Sequence, residues 1–141
     1  MSLDFYLHSQ HPSRSSDSVA RVFVRREGRT QEVEDWDERD GWVHVKMPRD
    51  ELFWANVTHN LVPMAKEADL YAILWRGGGK RAEEIVPTLQ RGLERLRAEP
   101  ERFRKLNPPN GWGSYEVFLA FVEEVLEACQ RWPEAVVKVS V

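Results

Sequence analysis

At the start of the chain Leu3, Phe5 and Leu7 alternate with Asp4, Tyr6 and His8, the period of two that marks a half-buried strand. Residues 9–18 break that pattern with serines, a proline, His11 and Arg14, a composition that buries little surface and predicts a mobile loop. Strand character resumes over 19–26, where Val22 and Val24 share one face. Glu27-Gly28-Arg29 then predicts a hairpin connection, with glycine supplying the unusual φ, and residues 30–36 return as its partner. Trp42, Val43, Val45 and Met47 bracket His44 and Lys46 in another strand that Pro48 stops, and residues 52–57 supply a further apolar strand.

From residue 60 the period changes. Leu61, Met64, Ala65, Ala68, Tyr71, Ala72 and Trp75 recur at helical spacing and predict one helix, begun near Asn60, with Pro63 in its first turn and Gly77-Gly78-Gly79-Lys80 at its end. Ile85, Leu89, Leu93 and Leu96 predict a second helix that either starts later than Arg81 or bends at Pro87, which lies inside the pattern. A short helical turn follows Pro100. Ser114 caps the clearest helix, whose Phe118, Phe121, Val122, Val125, Leu126 and Cys129 form one stripe. Trp132-Pro133 ends it, and Val137, Val139 and Val141 alternate in a closing strand.

Strands, then helices, then one strand predict an α+β domain: an antiparallel or mixed sheet of about five strands with three main helices packed on one face. The 141 residues, 42% of them hydrophobic, suit a single domain with a substantial core. A formal charge of −3 gives no whole-molecule attraction to nucleic acid or to anionic membranes. No apolar run reaches the roughly 18 residues of a membrane span, and residues 1–8 do not read as a leader, so a cytoplasmic protein is expected. The single cysteine, Cys129, rules out an internal disulfide framework and reads as a buried hydrophobe.

Candidate chemistry is sparse. Gly77-Gly78-Gly79-Lys80 departs from a phosphate loop in spacing, in the Arg81 that follows, and in lying after a helix. His8, His11, His44 and His59 lack metal-ligand spacing; His44 and His59 could still meet a carboxylate in the fold. Cys129 with His59 could pair as nucleophile and base, but a thiol in a helix's apolar stripe is expected to be inert. Arg91, Arg95, Arg97, Arg102, Arg104 and Lys105, interrupted by glutamates, read as a solvated helix face rather than a nucleic-acid surface. No cofactor is expected.

Two stretches stand out. Residues 56–61 hold Asn56, Thr58, His59 and Asn60, and residues 107–115 hold Asn107, Asn110 and Trp112; both carry side chains suited to satisfying backbone groups where a strand or loop becomes a helix. They read chiefly as joints of the scaffold. Residues 32–40 contain six acids, and Glu34, Asp35, Trp36, Asp37, Glu38 and Trp42 are the candidate surface for a basic partner, since tryptophan beside charge is the composition of interface hot spots.

The pattern Asn-x-Thr-His-Asn-Leu at 56–61 and Asn-Pro-x-Asn-Gly-Trp-Gly-x-Tyr at 107–115 resembles a group of small bacterial and phage proteins, with likeness over about 53–140 that includes Leu74-Trp75-Arg76. That resemblance implies no activity. In size and in its arginine- and glutamate-rich composition the chain is also similar to the RNA polymerase-binding transcription inhibitors and antiterminators of Thermus phages. This implies a host RNA polymerase as partner, contacted at its β-flap and at the carboxy-terminal region of sigma. The expectation is a non-enzymatic, protein-binding regulator. The alternative is a small hydrolase or ligand-binding enzyme whose site forms where Asn56, His59 and Asn60 meet Asn110 and Trp112.

Overall fold

The computed structural model describes residues 1–10, 21–34, 40, 42–46 and 51–141. The strands are β1 (Ser2–His8), β2 (Arg21–Arg26), β3 (Arg29–Val33), β4 (Val43–Lys46), β5 (Glu51–Thr58) and β6 (Val136–Ser140). The helices are α1 (Val62–Glu67), α2 (Tyr71–Trp75), α3 (Ala82–Ala98), α4 (Pro100–Arg104) and α5 (Tyr115–Arg131), with a single 3-10 turn at His59–Leu61 before α1. The α+β class holds. The single five-stranded sheet does not: the described strands form two antiparallel three-stranded sheets, β5-β1-β6 and β3-β2-β4. Alternation along a strand says which side chains face inward, but it does not say which strand is the neighbour.

In the first sheet Leu3, Phe5 and Leu7 of β1 are buried and stand opposite Val57, Ala55 and Phe53 of β5. On its other side β1 sets Phe5 against Val139 and Leu7 against Val137. These residues share one apolar cluster with Ile85, Leu89, Leu93 and Leu96 of α3 and with Phe118, Val122 and Val125 of α5. Full burial of each Leu, Ile, Val or Phe side chain among them contributes about 1.5–3 kcal/mol.

In the second sheet β2 and β3 are joined by the two-residue turn Glu27-Gly28, both at positive φ, so Arg29 belongs to the strand and pairs with Arg26. Two consecutive left-handed residues match the twist of the strands they connect, and Gly28 adopts φ +76° at no steric cost. The sheets meet through Trp42, which stacks on Trp54 at 5.1 Å, and through Arg25, which reaches Asn56.

The single helix expected over 60–75 is also corrected. Ala68, Asp69 and Leu70 interrupt it, with Asp69 at φ +57°. Leu70 N–H donates to the Ala65 carbonyl and Asp69 N–H to that of Lys66, a Schellman closure that ends α1 and restarts the chain as α2. α3 begins at Ala82, directly after its N-cap Arg81, and Pro87 lies inside it. The outer edge of β6 is sealed by the glycine-rich connection. Gly79 N–H donates to Val137 O and Val137 N–H to Lys80 O, each at 2.8 Å. Among the described residues no helix is long and apolar enough to cross a membrane.

Candidate functional site: the junction of two asparagine-rich motifs

The two motifs meet in space, and most of their polar side chains are engaged with the backbone. Thr58 is extended (φ −67°, ψ 143°), and its Oγ1 accepts from Asn60 N–H at 3.3 Å, capping the turn that leads into α1. Asn107 Oδ1 accepts from Tyr115 N–H at 2.8 Å, Ser114 Oγ from Val117 N–H at 3.2 Å, and Asn110 Oδ1 from Trp112 N–H at 2.9 Å. Asn56 ties β5 to β1, donating to Ser2 Oγ at 3.0 Å and to Asp4 Oδ1 at 2.9 Å. Asn60 crosses between the motifs and donates to the Trp112 carbonyl at 3.4 Å. Gly113 makes that approach possible. At φ +99° it lies against Thr58 and Leu61, where an added Cβ would come within 2.8 Å of Thr58 Cγ2.

His59 sits between these groups. Its Nδ1 accepts from Trp75 Nε1 at 3.0 Å, which places the imidazole hydrogen on Nε2, and Nε2 has no hydrogen-bond partner among the described residues. Around this junction lies an open groove of about 900 Å³, lined by Arg25, Asn56, His59, Asn60 and Trp112. Trp112 stands 72% exposed at its rim while its backbone is held by Asn110 and Asn60. A large aromatic surface in water on a pinned loop is the arrangement of a recognition anchor, because little ordering entropy remains to be lost on contact.

The acidic segment is divided. Glu34 is exposed beyond the end of β3, and Asp35, Trp36, Asp37 and Glu38 lie outside the described residues. Trp42 is turned inward, stacked on Trp54 with the Arg25 guanidinium 5.3 Å from its ring centre. Asp40 takes both oxygens to Arg26 at 2.8 Å. Thus Trp42 joins the two sheets, Asp40 is tied to β2, and Glu34 is the part of this surface that the described residues leave exposed.

Other candidates resolve into structure. Gly79 N–H is already bonded within the sheet edge, so the glycine run does not present that donor to a phosphate. Burial pushes the Cys129 thiol up to about 12, which keeps it protonated and unreactive. Among the described residues no three or more His, Cys, Asp and Glu side chains gather as a metal site would need. The basic residues of α3 and α4 are largely neutralised: Arg95 pairs with Asp69, Arg97 with Glu123, Arg102 with Glu67 and Glu99, and Arg104 with Glu101 and Glu116.

Glu124 is a functional candidate that the apolar pattern of α5 hides. It lies three residues after Phe121 and four before Ala128, spacing that places it beside the buried stripe of α5, and only 8% of it is exposed. Arg25 and Arg29 are hidden in the same way. Each reads as an ordinary surface residue of a hairpin, yet they connect the second sheet to Asn56 and to α5. No family model, no curated protein and no solved structure matches the chain.

Proposed function

We propose that the protein is a non-enzymatic regulator that binds another protein, and that its recognition surface is the groove between the two asparagine-rich motifs, with Trp112 as the anchor. The observation that carries this reading is the 72% exposure of an indole on a loop fixed by Asn110 and Asn60. The engagement of His59 with Trp75, of Asn56 with Ser2 and Asp4, and of the Cys129 thiol with the core also favours binding over catalysis. The partner implied by the likeness in size and composition is a bacterial RNA polymerase, contacted at the β-flap and the carboxy-terminal region of sigma. Glu34 and the acidic residues after it supply a complementary charge for a basic surface.

The test is binding of purified RNA polymerase holoenzyme from a Thermus host to the immobilised protein. Capture, competed by the isolated β-flap, is the expected result. Trp112→Ala lowers affinity by about tenfold or more without altering unfolding, and charge reversal at Glu34, Asp35, Asp37 and Glu38 weakens capture most at low salt. Absence of capture rejects the polymerase; capture unaffected by Trp112→Ala rejects the groove.

A second reading, a small hydrolase or ligand-binding enzyme at the junction of Asn56 and Asn60 with Asn110 and Trp112, is favoured by one observation. The two motifs do line a common groove of about 900 Å³, large enough for a small molecule.

A further inference from the structure

A second cleft, of about 500 Å³, opens between the β2–β3 hairpin and the C-terminal half of α5, away from the junction groove. Phe53, Trp54 and Trp132 give it an apolar wall. Glu124, more than nine-tenths buried, forms part of its lining. The Thr30 backbone N–H favours the charged form of the Glu124 carboxylate. Its buried Oε1 has no hydrogen-bond partner among the described residues; the Arg29 Nε is 3.7 Å away, an ion-pair distance too long for a hydrogen bond.

A buried carboxylate oxygen without a donor is costly, and a donor entering the cleft would recover that cost. The charges around it specify the donor. Arg29 also reaches Glu127 at 3.3 Å, so one guanidinium serves two carboxylates, and Glu27 and Glu32 add negative charge at the rim. Arg131 is drawn over the Trp132 ring at 4.6 Å, and Arg25 acts on Glu124 from β2. We infer that this cleft seats a basic side chain of the partner polypeptide, its aliphatic stem along Phe53, Trp54 and Trp132 and its cationic head against the Glu124 carboxylate. The inference rests on the protein-binding reading above and adds a second contact to it. Burial pushes Glu124 up to about 7, despite Arg29 and Arg25 and with Glu127 acting in the same sense as burial, so occupancy by a cation is coupled to release of its proton.

The probe is acetyl-glycyl-lysyl-glycine amide, titrated into the protein by NMR beside the same peptide carrying norleucine. The lysine peptide is expected to bind at least about tenfold more tightly than the norleucine peptide. Its affinity falls about tenfold between about pH 8 and about pH 6, as a group titrating near 7 requires. In Glu124→Gln, both the preference for lysine and the pH dependence disappear. Equal binding of the norleucine peptide, an unchanged Glu124→Gln, or affinity independent of pH in the unsubstituted protein overturns the proposal. Equal binding of n-butylammonium alone assigns the cleft to free amines and overturns the polypeptide assignment. Polymerase capture on the same samples separates the two readings. Lost peptide affinity with capture intact removes the cleft alone, whereas peptide affinity without capture removes the polymerase alone.

Discussion

The indole N–H of Trp75 donates to Nδ1 of His59 across 3.0 Å, joining the turn at the end of β5 to the end of α2. Trp75 is almost wholly buried, so its N–H cannot fall back on water. The aromatic contact continues outward, with Tyr71 stacked on Trp75 at 5.7 Å and the Lys66 ammonium 4.9 Å from the Tyr71 ring. The histidine of the first motif therefore acts as an acceptor that fixes a core tryptophan.

Replacing it tests that role directly. His59→Leu leaves the indole donor buried and unpaired, at a cost of about 1–3 kcal/mol. Urea unfolding is expected to show a lower midpoint with an unchanged slope, the pattern of lost stability without altered compactness. If His59→Leu unfolds at the same urea concentration as the unsubstituted protein, the bond makes no net contribution.

Gly113 gives a sharper probe of the junction. Gly113→Ala must hold φ near +99° and place a methyl group 2.8 Å from Thr58 Cγ2 and 3.1 Å from Leu61 Cγ. Backbone strain and overpacking together cost roughly 2–4 kcal/mol. Unfolding measures that loss, while iodide quenching reports whether Trp112 has moved. Full stability with unchanged quenching would mean that the two motifs do not need this close approach.

Much of the scaffold was legible because its physics is local. The alternation of Leu3, Phe5 and Leu7 and the stripe from Phe118 to Cys129 each follow from the geometry of one element, and both are buried as their periods require. Ser114 and Thr58 were readable as caps for the same reason. The break at Asp69 was hidden: glycine is the usual sign of a left-handed closure, aspartate is a weak one, and the apolar spacing runs on through it. Division into two sheets was hidden because β4 and β5, adjacent in sequence, pair with different partners. Within the candidate site, Thr58, Asn107 and Asn110 were legible as structural residues. The inward turn of Trp42 depends on Trp54 in the other sheet and had no local signal.

Glu124 makes the last prediction, a dependence of stability on pH. Its ordinary value is 4.5, and burial raises it to about 7 in the folded protein. Between those values the folded chain holds a proton that the unfolded chain has released, so stability falls as pH rises through this interval. The penalty is absent below about pH 4 and complete above about pH 8. Glu124→Gln removes the ionisable group while keeping the size of the side chain and an acceptor oxygen. It is expected to stabilise the protein by roughly 1–3 kcal/mol at about pH 8, with loss of the Arg29 pairing offsetting part of the gain, and to give little or no gain at about pH 4. Denaturant unfolding at both pH values checks this, and an equal difference at the two would sink it. The same substitution abolishes the cation preference inferred for the cleft. A variant that gains stability while losing lysine recognition is the pattern expected where a strained, charged group is kept for binding.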